Sequence, residues 1–464
     1  MTTTTANQTN WHRFRAAFQA DYLSRVSDHT ERLTWSASQI EAAQRDGLRR
    51  LLAHAVQHAP FHRRRLAGID VERFDPVDLP TLPAMTKAEM MAELDDVFTD
   101  RRLTRPLVEE AIAATGAEPV PILEEYIAFA SGGSSGQRGL FVFDRAAMAG
   151  FLLSVTRSLV ARLETLGGPP AGGFRIAMVG AASAVHLTRA AEAATAGPSM
   201  PLRIASVPVT LAFQEIVERL ETLQPHGLFG YPSTLARLAA EQQAGRMRIA
   251  PSVVTTTSET LLPEMAAAMT EAFSAPVVNN FASTEGLVGN SAPGDTMLVF
   301  NTDMCIVELV DEGNRPVPPG VPSARVLITN LYNVVQPLIR YELNDTLVRQ
   351  LDASDHGHLR ATVQGRADEM LRYRGFDVHP HVVRSVLVKS REIVDYRVRQ
   401  TPHGIDVDAV PVGNVDVEGL RGRLVAALAG AGLGDPEVSV RIVDHLEPDP
   451  KTGKLRRFVP LLHA

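Results

Sequence analysis

A nine-residue segment rich in glycine and serine, Ser131–Gly139, carries the clearest chemical signal in the sequence. Its residues read SGGSSGQRG and lie between two short apolar runs, 126–130 and 140–143. Glycines allow backbone N–H groups to turn toward an anion, and serine hydroxyls add further donors, so a chain of phosphates is a suitable ligand. The segment lacks the Gly-Lys-Ser/Thr of a Walker A loop. Taken alone, it is equally compatible with a phosphate-binding loop and with a flexible surface turn.

Polar residues also follow two later apolar runs. Ser283, Thr284 and Glu285 come directly after the run 277–281. A hydroxyl and a carboxylate at the carboxyl end of a strand could hold Mg²⁺ against a phosphate. Asp345 closes a second such segment and could accept hydrogen bonds from ribose hydroxyls. Taken alone, the first group is more simply explained as a helix cap, and Asp345 as a turn residue.

Two charged segments lie nearer the C-terminus. GRADEM, at 365–370, falls where the strand and helix pattern of the chain changes, and KTGKLRR, at 451–457, lies close to the chain end. Lys454 stands on a glycine-containing stretch and could reach an anionic site as a mobile point charge. A solvated basic tail is the simpler explanation of that segment when it is considered alone.

These residues need a scaffold, and the apolar pattern predicts one. Between 175 and about 345, short apolar strands alternate with helices, which favours an α/β architecture with a largely parallel sheet. After 364 the pattern changes to that of a compact α+β unit of about 100 residues. We therefore predict an α/β fold with a large N-terminal domain of mostly parallel sheets, 1–364, and a small α+β C-terminal domain, 365–464.

The composition excludes several classes of protein. The 464 residues are 45% hydrophobic and carry a net charge of −7, so the chain is a poor candidate for binding nucleic acid or an anionic membrane surface. Cys305 is the only cysteine, which leaves no intrachain disulfide and favours a reducing compartment. The N-terminal segment MTTTTANQTN has no signal-peptide pattern, and we expect a cytoplasmic protein.

The five segments occur in one order, and that order resembles the ANL adenylate-forming superfamily, which includes acyl-CoA synthetases, peptide-synthetase adenylation domains and luciferases. SGGSSGQRG is similar to the family's phosphate loop, ASTEG to its Mg²⁺/ATP motif and PLIRYELND to its ribose motif. GRADEMLRYRG is similar to the hinge motif and KTGKLRR to the catalytic-lysine motif. HAPFHRRRL at 58–66 and LPTLPAMTKAEM at 79–90 resemble the phenylacetate–CoA ligase branch.

The resemblance implies a role for each matched residue. Lys454 would be the catalytic lysine, Glu285 the Mg²⁺ ligand and Asp368 the hinge on which the small domain turns. Residues implied in ATP binding are Ser131, Gly132, Gly133, Ser134, Ser135, Gly136, Ser258, Glu259, Thr260, Ser283, Thr284, Asp345 and Arg366. Residues implied in the substrate pocket are Phe229, Tyr231, Phe281, Ala282 and His186, for each of which a packing or surface role is an alternative.

The sequence departs from the family pattern at two motifs. The phosphate loop often ends near a lysine, and here Gln137 and Arg138 stand in that place. The ribose motif usually reads Tyr-Arg-x-Gly-Asp, whereas here Glu342 replaces the arginine and Asn344 replaces the glycine. Asparagine tolerates positive φ better than other non-glycine residues, so the turn can survive the second change.

The resemblance predicts an AMP-forming ligase that uses ATP and Mg²⁺ to adenylate a small aryl or short acyl carboxylic acid and then transfers the acyl group to the thiol of CoA. Two alternatives stay open. One is an adenylating enzyme of specialised metabolism that uses an amine acceptor, or that activates nitrite and converts an aryl amine to a diazonium. The other is a non-catalytic nucleotide-binding protein. The expected partners are small molecules, neither nucleic acid nor membrane, with a possible homodimer.

Overall fold

The computed structural model describes residues 2–116, 118–131, 139–180, 187–197, 199–350, 357–366, 370–374, 376–378, 380–390, 392–411, 413–447 and 455–461. Its helices are α1 (Thr2–Glu31), α2 (Ala37–His58), α3 (Pro60–Arg65), α4 (Lys87–Ala92), α5 (Leu94–Val97), α6 (Arg105–Ala114), α7 (Arg145–Thr165), α8 (Leu187–Thr195), α9 (Phe213–Leu223), α10 (Pro232–Gln243), α11 (Pro263–Phe273), α12 (Pro380–Lys389) and α13 (Val417–Gly430). Two short 3-10 segments, Arg32–Thr34 and Pro76–Thr81, lie between the early helices.

The strands of the large N-terminal part are β1 (Ile127–Ala130), β2 (Leu140–Phe143), β3 (Phe174–Gly180), β4 (Leu202–Pro208), β5 (Gly227–Gly230), β6 (Val253–Thr257), β7 (Val277–Ala282), β8 (Val288–Ser291), β9 (Leu298–Phe300), β10 (Cys305–Val310), β11 (Arg325–Asn330), β12 (Tyr341–Leu343), β13 (Asp345–Arg349) and β14 (Arg360–Arg366). The C-terminal part adds β15 (Leu371–Tyr373), β16 (Phe376–Val378), β17 (Ile393–Gln400), β18 (Gly404–Pro411), β19 (Glu437–Ile442) and β20 (Phe458–Val459).

A nine-stranded sheet in the order β13-β14-β9-β8-β7-β6-β5-β3-β4 forms the framework of the N-terminal part. The five strands from β7 to β4 run parallel, and helices connect them, as the alternating pattern predicts. The other strands of this sheet pair antiparallel. The parallel arrangement therefore covers one half of the sheet. In the antiparallel half, short connections join β7 to β8 and β8 to β9, whereas β9 pairs with the distant strand β14. A strand–helix alternation reveals neither.

Helix α7 lies in the interior of the N-terminal part and contacts α1 along its length. Asp144 caps its first turn, where the side chain accepts a hydrogen bond from the N–H of Ala147 at 2.7 Å. Arg157 on this helix forms a fully buried ion pair with Asp303 at 2.7 Å. Within the described chain, α7 is the helix long and apolar enough to span a membrane, and 67% of its most apolar window is buried in the fold, as in a core helix.

The C-terminal part forms its own four-stranded sheet in the order β19-β18-β17-β20. The parallel pair β17–β20 brings the chain end back beside the middle of the sheet, and α12 packs against α13. Leu420, Leu424 and Leu428 line the buried face of α13. This layout agrees with the predicted α+β unit. The boundary at 364 and 365 stays a prediction, and the hinge residue Asp368 lies outside the described residues.

Candidate active site

The carboxyl ends of the parallel strands β6 and β7 place two predicted ATP-binding segments side by side. Residues 258–260 follow β6, and residues 283–285 follow β7. The two strands pair in parallel register up to Thr257 and Asn280, so both loops leave the same edge of the sheet. This edge is where ligands bind in open α/β sheets. The local order of the sequence therefore brings together two segments that are about 25 residues apart.

The base of the predicted phosphate loop is a β-hairpin. Ser131 and Gly139 close it through two hydrogen bonds: the Ser131 N–H donates to the Gly139 carbonyl at 3.0 Å, and the Gly139 N–H donates to Ser131 Oγ at 3.0 Å. Residues 132–138 lie outside the described part of the chain, so Gly132, Gly133, Ser134, Ser135 and Gly136 stay predicted phosphate contacts. The second apolar strand after the loop is confirmed, which distinguishes this loop from a Walker A loop.

Lys87 is a cation at this hairpin that the sequence reasoning missed. Its Nζ lies 3.5 Å from Ser131 Oγ, at the base of the predicted phosphate loop. The lysine is the first residue of α4, which Thr86 and Glu89 begin with a capping box. A strand-like bridge from Met85 to the ribose motif fixes the same segment from the other side. The signal in the sequence was the capping-box pattern Thr-x-x-Glu, which predicts where α4 begins but not what Lys87 contacts.

Glu285 lies in the tight loop between β7 and β8, and only 8% of the residue is exposed. Its main-chain carbonyl accepts a hydrogen bond from Asn330 Nδ2 at 2.9 Å. Gly286 follows with φ of 112°, a conformation that favours glycine, and a Cβ there would collide with the side chains of Asn330 and Tyr332. In the described chain, no basic side chain forms an ion pair with the Glu285 carboxylate.

This environment fits a magnesium ligand. Within the described residues, no cluster of three or more His, Cys, Asp or Glu side chains could hold a metal ion by itself. Proteins, however, usually bind Mg²⁺ through one or two carboxylates, with substrate phosphates and water completing the shell. A single buried carboxylate is therefore a suitable protein donor, and Glu285 is the residue that would supply it.

Ser283 and Thr284 have different positions in the same loop. Ser283 Oγ accepts a hydrogen bond from the Leu287 N–H at 3.1 Å, so this hydroxyl stabilises the turn. Strand β8 follows this turn, and the helix-cap alternative is therefore wrong. Thr284 lies on the wall of the cavity described below. Thr284 is thus the better placed of the two for contact with a ligand.

The loop after β6 uses its carboxylate for structure. Ser258 adopts left-handed backbone angles, with φ of 65°, and lies on the cavity wall. Glu259 Oε2 accepts a hydrogen bond from the Ser233 N–H at 3.1 Å, at the start of α10. Glu259 Oε1 accepts a second one from the Leu455 N–H at 2.7 Å. Its carboxylate therefore faces the start of α10 and the C-terminal chain, while Ser258 and Thr260 stay predicted ATP contacts.

The ribose motif brings two predicted residues into register. Asp345 begins β13 and stands directly opposite Arg366 of β14 in the antiparallel ladder, which places their backbones side by side. The position of the Arg366 side chain is outside what the structure describes. Glu342, where the family has arginine, contacts Arg325 on the neighbouring strand at 3.4 Å. A cation thus stays next to the motif, although a different strand supplies it.

Arg340, which directly precedes Tyr341 in the ribose motif, is also unusual. Arg340 is 1% exposed, has φ of 51° and forms an ion pair with Glu308 at 2.9 Å. The buried Tyr341 hydroxyl has no hydrogen-bond partner among the described residues. Burial, followed by the negative charges of Glu285 and Glu342, raises the pKa of Tyr341 far above its ordinary value. This buried hydroxyl therefore stays neutral.

A cavity of about 210 Å³ lies between α7 and one face of the sheet. Thr284, Ser258 and Ala282 line it at the carboxyl edge of the strands, and Phe229 and Tyr231 line its wall. Their contacts with substrate and ATP stay predictions. The interior is mostly apolar, with residues from β3, β4, β5, β6 and β7, and it also contains polar side chains such as Thr255, Asn280 and Asn290. The end of the cavity away from Thr284 and Ser258 is called the deep end, and it is lined by Phe174, Ile176, Ile204, Gly227 and Val253.

Phe281 is not part of this cavity, and the prediction for it is corrected. Along β7, Asn280 and Ala282 face the cavity, and Phe281 lies between them on the opposite face of the strand, where its ring packs against Phe300 at 5.6 Å. Successive side chains of a strand point to opposite faces, so Ala282 and Phe281 could not both line one pocket.

Arg162 is a cavity residue that the sequence reasoning did not identify. It lies on α7 about 16 Å along the helix axis from Phe151, which lines the other end of the cavity. Among the described residues it has no carboxylate partner. Desolvation lowers its pKa. The deep end of this mostly apolar cavity therefore contains one cationic side chain.

Besides the phosphate-loop residues 132–136, the catalytic lysine Lys454, the hinge Asp368 and the pocket residue His186 lie outside the described part of the chain. Leu455, the residue after Lys454, is described and buried, and its N–H reaches Glu259 at the ATP-binding edge. The sequence neighbour of Lys454 thus lies at the predicted site, and the role of Lys454 itself stays a prediction.

This α/β fold is shared with solved CoA ligases, as the resemblance to the ANL adenylate-forming superfamily implies. The family resemblance, the α/β fold class with a smaller C-terminal domain and the enzyme class are confirmed. No protein-family profile matches the chain.

Individual proteins with similar sequences or folds are also found. The chain is 25% identical over 381 residues to a phenylacetate–coenzyme A ligase of Thermus thermophilus, covering 78% of both chains. The solved 2-hydroxyisobutyryl-CoA ligase in its postadenylation state has the same fold, with a TM-score of 0.68, 19% identity and coverage of 92% of this chain and 91% of that one. The amide bond synthetase McbA from Marinactinospora thermotolerans matches with a TM-score of 0.51 and 15% identity, covering 70% and 67% of the two chains.

Proposed function

We propose that the protein uses ATP to adenylate a small carboxylic acid, releases pyrophosphate, and then transfers the acyl group to the thiol of CoA. The observation that carries this proposal is the continuity of the cavity. Thr284 and Ser258 from the predicted ATP-binding loops and the apolar residues of the deep end line one space. An acid whose body occupies the apolar part would present its carboxylate at the edge where the phosphates are expected.

In the first half-reaction, a carboxylate oxygen attacks the α-phosphorus of ATP, the bond to the bridging oxygen breaks, and pyrophosphate leaves. Negative charge builds on the phosphoryl oxygens, so the protein acts mainly through positioning and neutralisation. Ser131 and the loop that it closes would hold the terminal phosphates, and Lys87 would add a positive charge at their base. Mg²⁺, when held by Glu285, would neutralise phosphate charge. Lys454 would bridge the acid oxygen and the α-phosphate.

In the second half-reaction, the CoA thiolate attacks the acyl carbonyl, and AMP leaves with its electron pair. The sequence likeness to a phenylacetate–coenzyme A ligase supports a thiol acceptor. The small, mostly apolar cavity supports an aryl or short acyl acid, because apolar surface gives favourable burial to a hydrocarbon body and no hydrogen bonds to a polar one. The acidic composition and single cysteine support a cytoplasmic location.

A pyrophosphate-release screen tests this function. The purified protein is incubated with ATP and Mg²⁺ and with aryl and aliphatic acids or nitrite, each with and without CoA and an aryl amine. We expect pyrophosphate release with at least one carboxylic acid, and a thioester when CoA is added. An adenylate that CoA never consumes, but an aryl amine does, would replace the thiol acceptor with an amine. Release with nitrite alone would favour diazonium chemistry, and no release with any substrate would support a non-catalytic nucleotide-binding protein.

A further inference from the structure

Arg457 stands between the two parts of the chain. It precedes β20 in the C-terminal part, is 6% exposed, and its Nε donates a hydrogen bond to Asp395 Oδ1 of β17 at 3.1 Å. Its Nη1 lies 3.9 Å from Glu259 Oε2, which belongs to the N-terminal part. Its Nη2 also contacts Met265 Sδ of α11 at 3.9 Å. One guanidinium therefore pairs with a carboxylate from each part.

The Glu259 carboxylate, which pairs with Arg457, is itself held in place by hydrogen bonds. Its side chain is 2% exposed, and its carboxylate accepts the Ser233 N–H in the first turn of α10, where a negative charge is favourable. The same carboxylate accepts the Leu455 N–H at 2.7 Å. Two residues of the segment 455–457 are thus held by one acidic side chain at the ATP-binding edge.

The contact requires both charges. Burial alone would lower the pKa of Arg457, and the negative charges of Asp395 and Glu259 more than offset that effect. A buried cation that loses one of its partners is strongly unfavourable, because the desolvation is no longer compensated. The arrangement of the two parts seen here is therefore coupled to this ion cluster.

We propose that Arg457 is a positioning residue for the adenylation step: together with Glu259 and Asp395, it fixes the chain that directly follows Lys454 against the ATP-binding edge of the large sheet. The proposal rests on the proposed function for its kinetic consequence, and on the contacts alone for its structural one. It also gives Glu259 a different role from the adenine contact that the family resemblance implies.

A distance measurement between the two parts tests the structural consequence without any substrate. Spin labels are attached at Glu271→Cys on α11 and at Gly422→Cys on α13, both exposed, and a side chain at position 422 meets no neighbouring atom. The native Cys305 is buried and does not compete for the label. Distance distributions are recorded by pulsed electron resonance for the otherwise native protein and for Arg457→Met, Arg457→Lys and Glu259→Ala. Arg441→Met is the matched control, because Arg441 pairs with Asp408 inside the C-terminal part.

We expect one narrow distribution for the native protein and the control, and a broader or displaced one for Arg457→Met and Glu259→Ala, with Arg457→Lys in between. A folded Arg457→Met protein with the native distribution would overturn the proposal, since Arg457 would then stabilise only its own unit. If Arg457→Met fails to fold, the distance distribution of Glu259→Ala, which removes the other partner of the ion pair, is compared with that of the native protein. A native distribution in Glu259→Ala would then overturn the proposal.

The kinetic consequence is measured with an acid identified by the pyrophosphate screen. We expect kcat for pyrophosphate release to fall at least tenfold in Arg457→Met, with KM for the acid nearly unchanged because the cavity lies in the N-terminal part, and with partial rescue in Arg457→Lys. An unchanged kcat together with a displaced distance distribution would overturn the positioning role. If no acid releases pyrophosphate, the proposed function fails, and the distance distribution still decides whether Arg457 fixes the two parts.

Discussion

Lys87 Nζ lies 3.5 Å from Ser131 Oγ, so a lysine from the first turn of α4 reaches the base of the glycine- and serine-rich hairpin. The two residues are 44 positions apart in the sequence. The phosphate loop itself has Gln137 and Arg138 where relatives often have a lysine. The structure thus places an ammonium group beside the loop from a different element, and this relationship gives the first prediction.

Replacing Lys87 with alanine should raise the KM for ATP about tenfold, equivalent to about 1.4 kcal/mol of lost binding. The physical reason is the loss of a positive charge beside the phosphates. Initial rates of pyrophosphate release at varied ATP concentration measure the effect. Lys87→Arg is the matched variant, because it keeps the charge and should retain most of the affinity. An unchanged KM in the alanine variant would show that Lys87 supports only the hairpin.

Glu285→Gln should raise the concentration of Mg²⁺ needed for half-maximal rate and lower the maximal rate on the order of 10²-fold. An amide keeps the shape of the side chain but loses the charge that attracts the cation. A Mg²⁺ titration of pyrophosphate release provides the measurement, and circular dichroism checks that the fold is kept. If the titration matched that of the native protein, Ser283–Glu285 would return to a purely structural turn.

The sequence predicts local features well, because they depend on neighbouring residues. The strands β6 and β7, the helix α7 and its cap Asp144 all follow from apolar periodicity and capping chemistry that a short window contains. The loops that leave β6 and β7 at one edge follow in turn from parallel strand order. For these reasons the sequence is enough to bring residues 258–260 and 283–285 to one edge of the sheet, and ATP binding at that edge stays a prediction.

Contacts between distant segments could not be predicted in this way. Lys87 meets Ser131, and Arg457 meets Glu259, only because of how the whole chain folds. The pairing of β9 with β14 in the large sheet has the same cause, because these strands are far apart in the sequence and carry no local sign of their partner. Phe281 is a different case: strand alternation was available in the sequence and would have separated it from Ala282.

The stability of the protein should fall as the pH decreases below about 6.5, partly through His62. Burial first, and the Arg65 charge second, lower the pKa of His62 to about 3, while its hydrogen bond to the Pro337 carbonyl acts in the opposite direction. The unfolded chain binds a proton near the ordinary pKa of about 6.5, and the folded chain does not until far lower pH. The stabilisation is therefore complete above about 6.5 and is lost progressively toward about 3, by roughly 1.4 kcal/mol per pH unit.

Denaturant unfolding at pH 7.5, 6.5 and 5.5 measures this dependence. His62→Gln can still donate to the Pro337 carbonyl, which accepts from Nε2 at 2.9 Å, but cannot titrate. The variant should lose less stability between pH 6.5 and 5.5 than the native protein does. Equal losses in both proteins would mean that other groups, such as His29 with a pKa lowered to about 4, carry the whole effect.

The deep end of the cavity should set the length of the acid that the protein accepts. Ile204 lines that end from the edge strand β4, and Arg203 beside it points to the opposite, exposed face. Ile204→Trp should fill the deep end and lower kcat/KM for the longest accepted acid by about tenfold or more. A short acid should keep its rate, because only the longer hydrocarbon body reaches the added ring. Arg203→Trp adds the same side chain outside the cavity and should leave kcat/KM for both acids unaffected.

Pyrophosphate release over a series of acids of increasing length measures the change in kcat/KM. If Ile204→Trp affects all lengths equally, the acid does not extend toward β4, and its body lies elsewhere along α7.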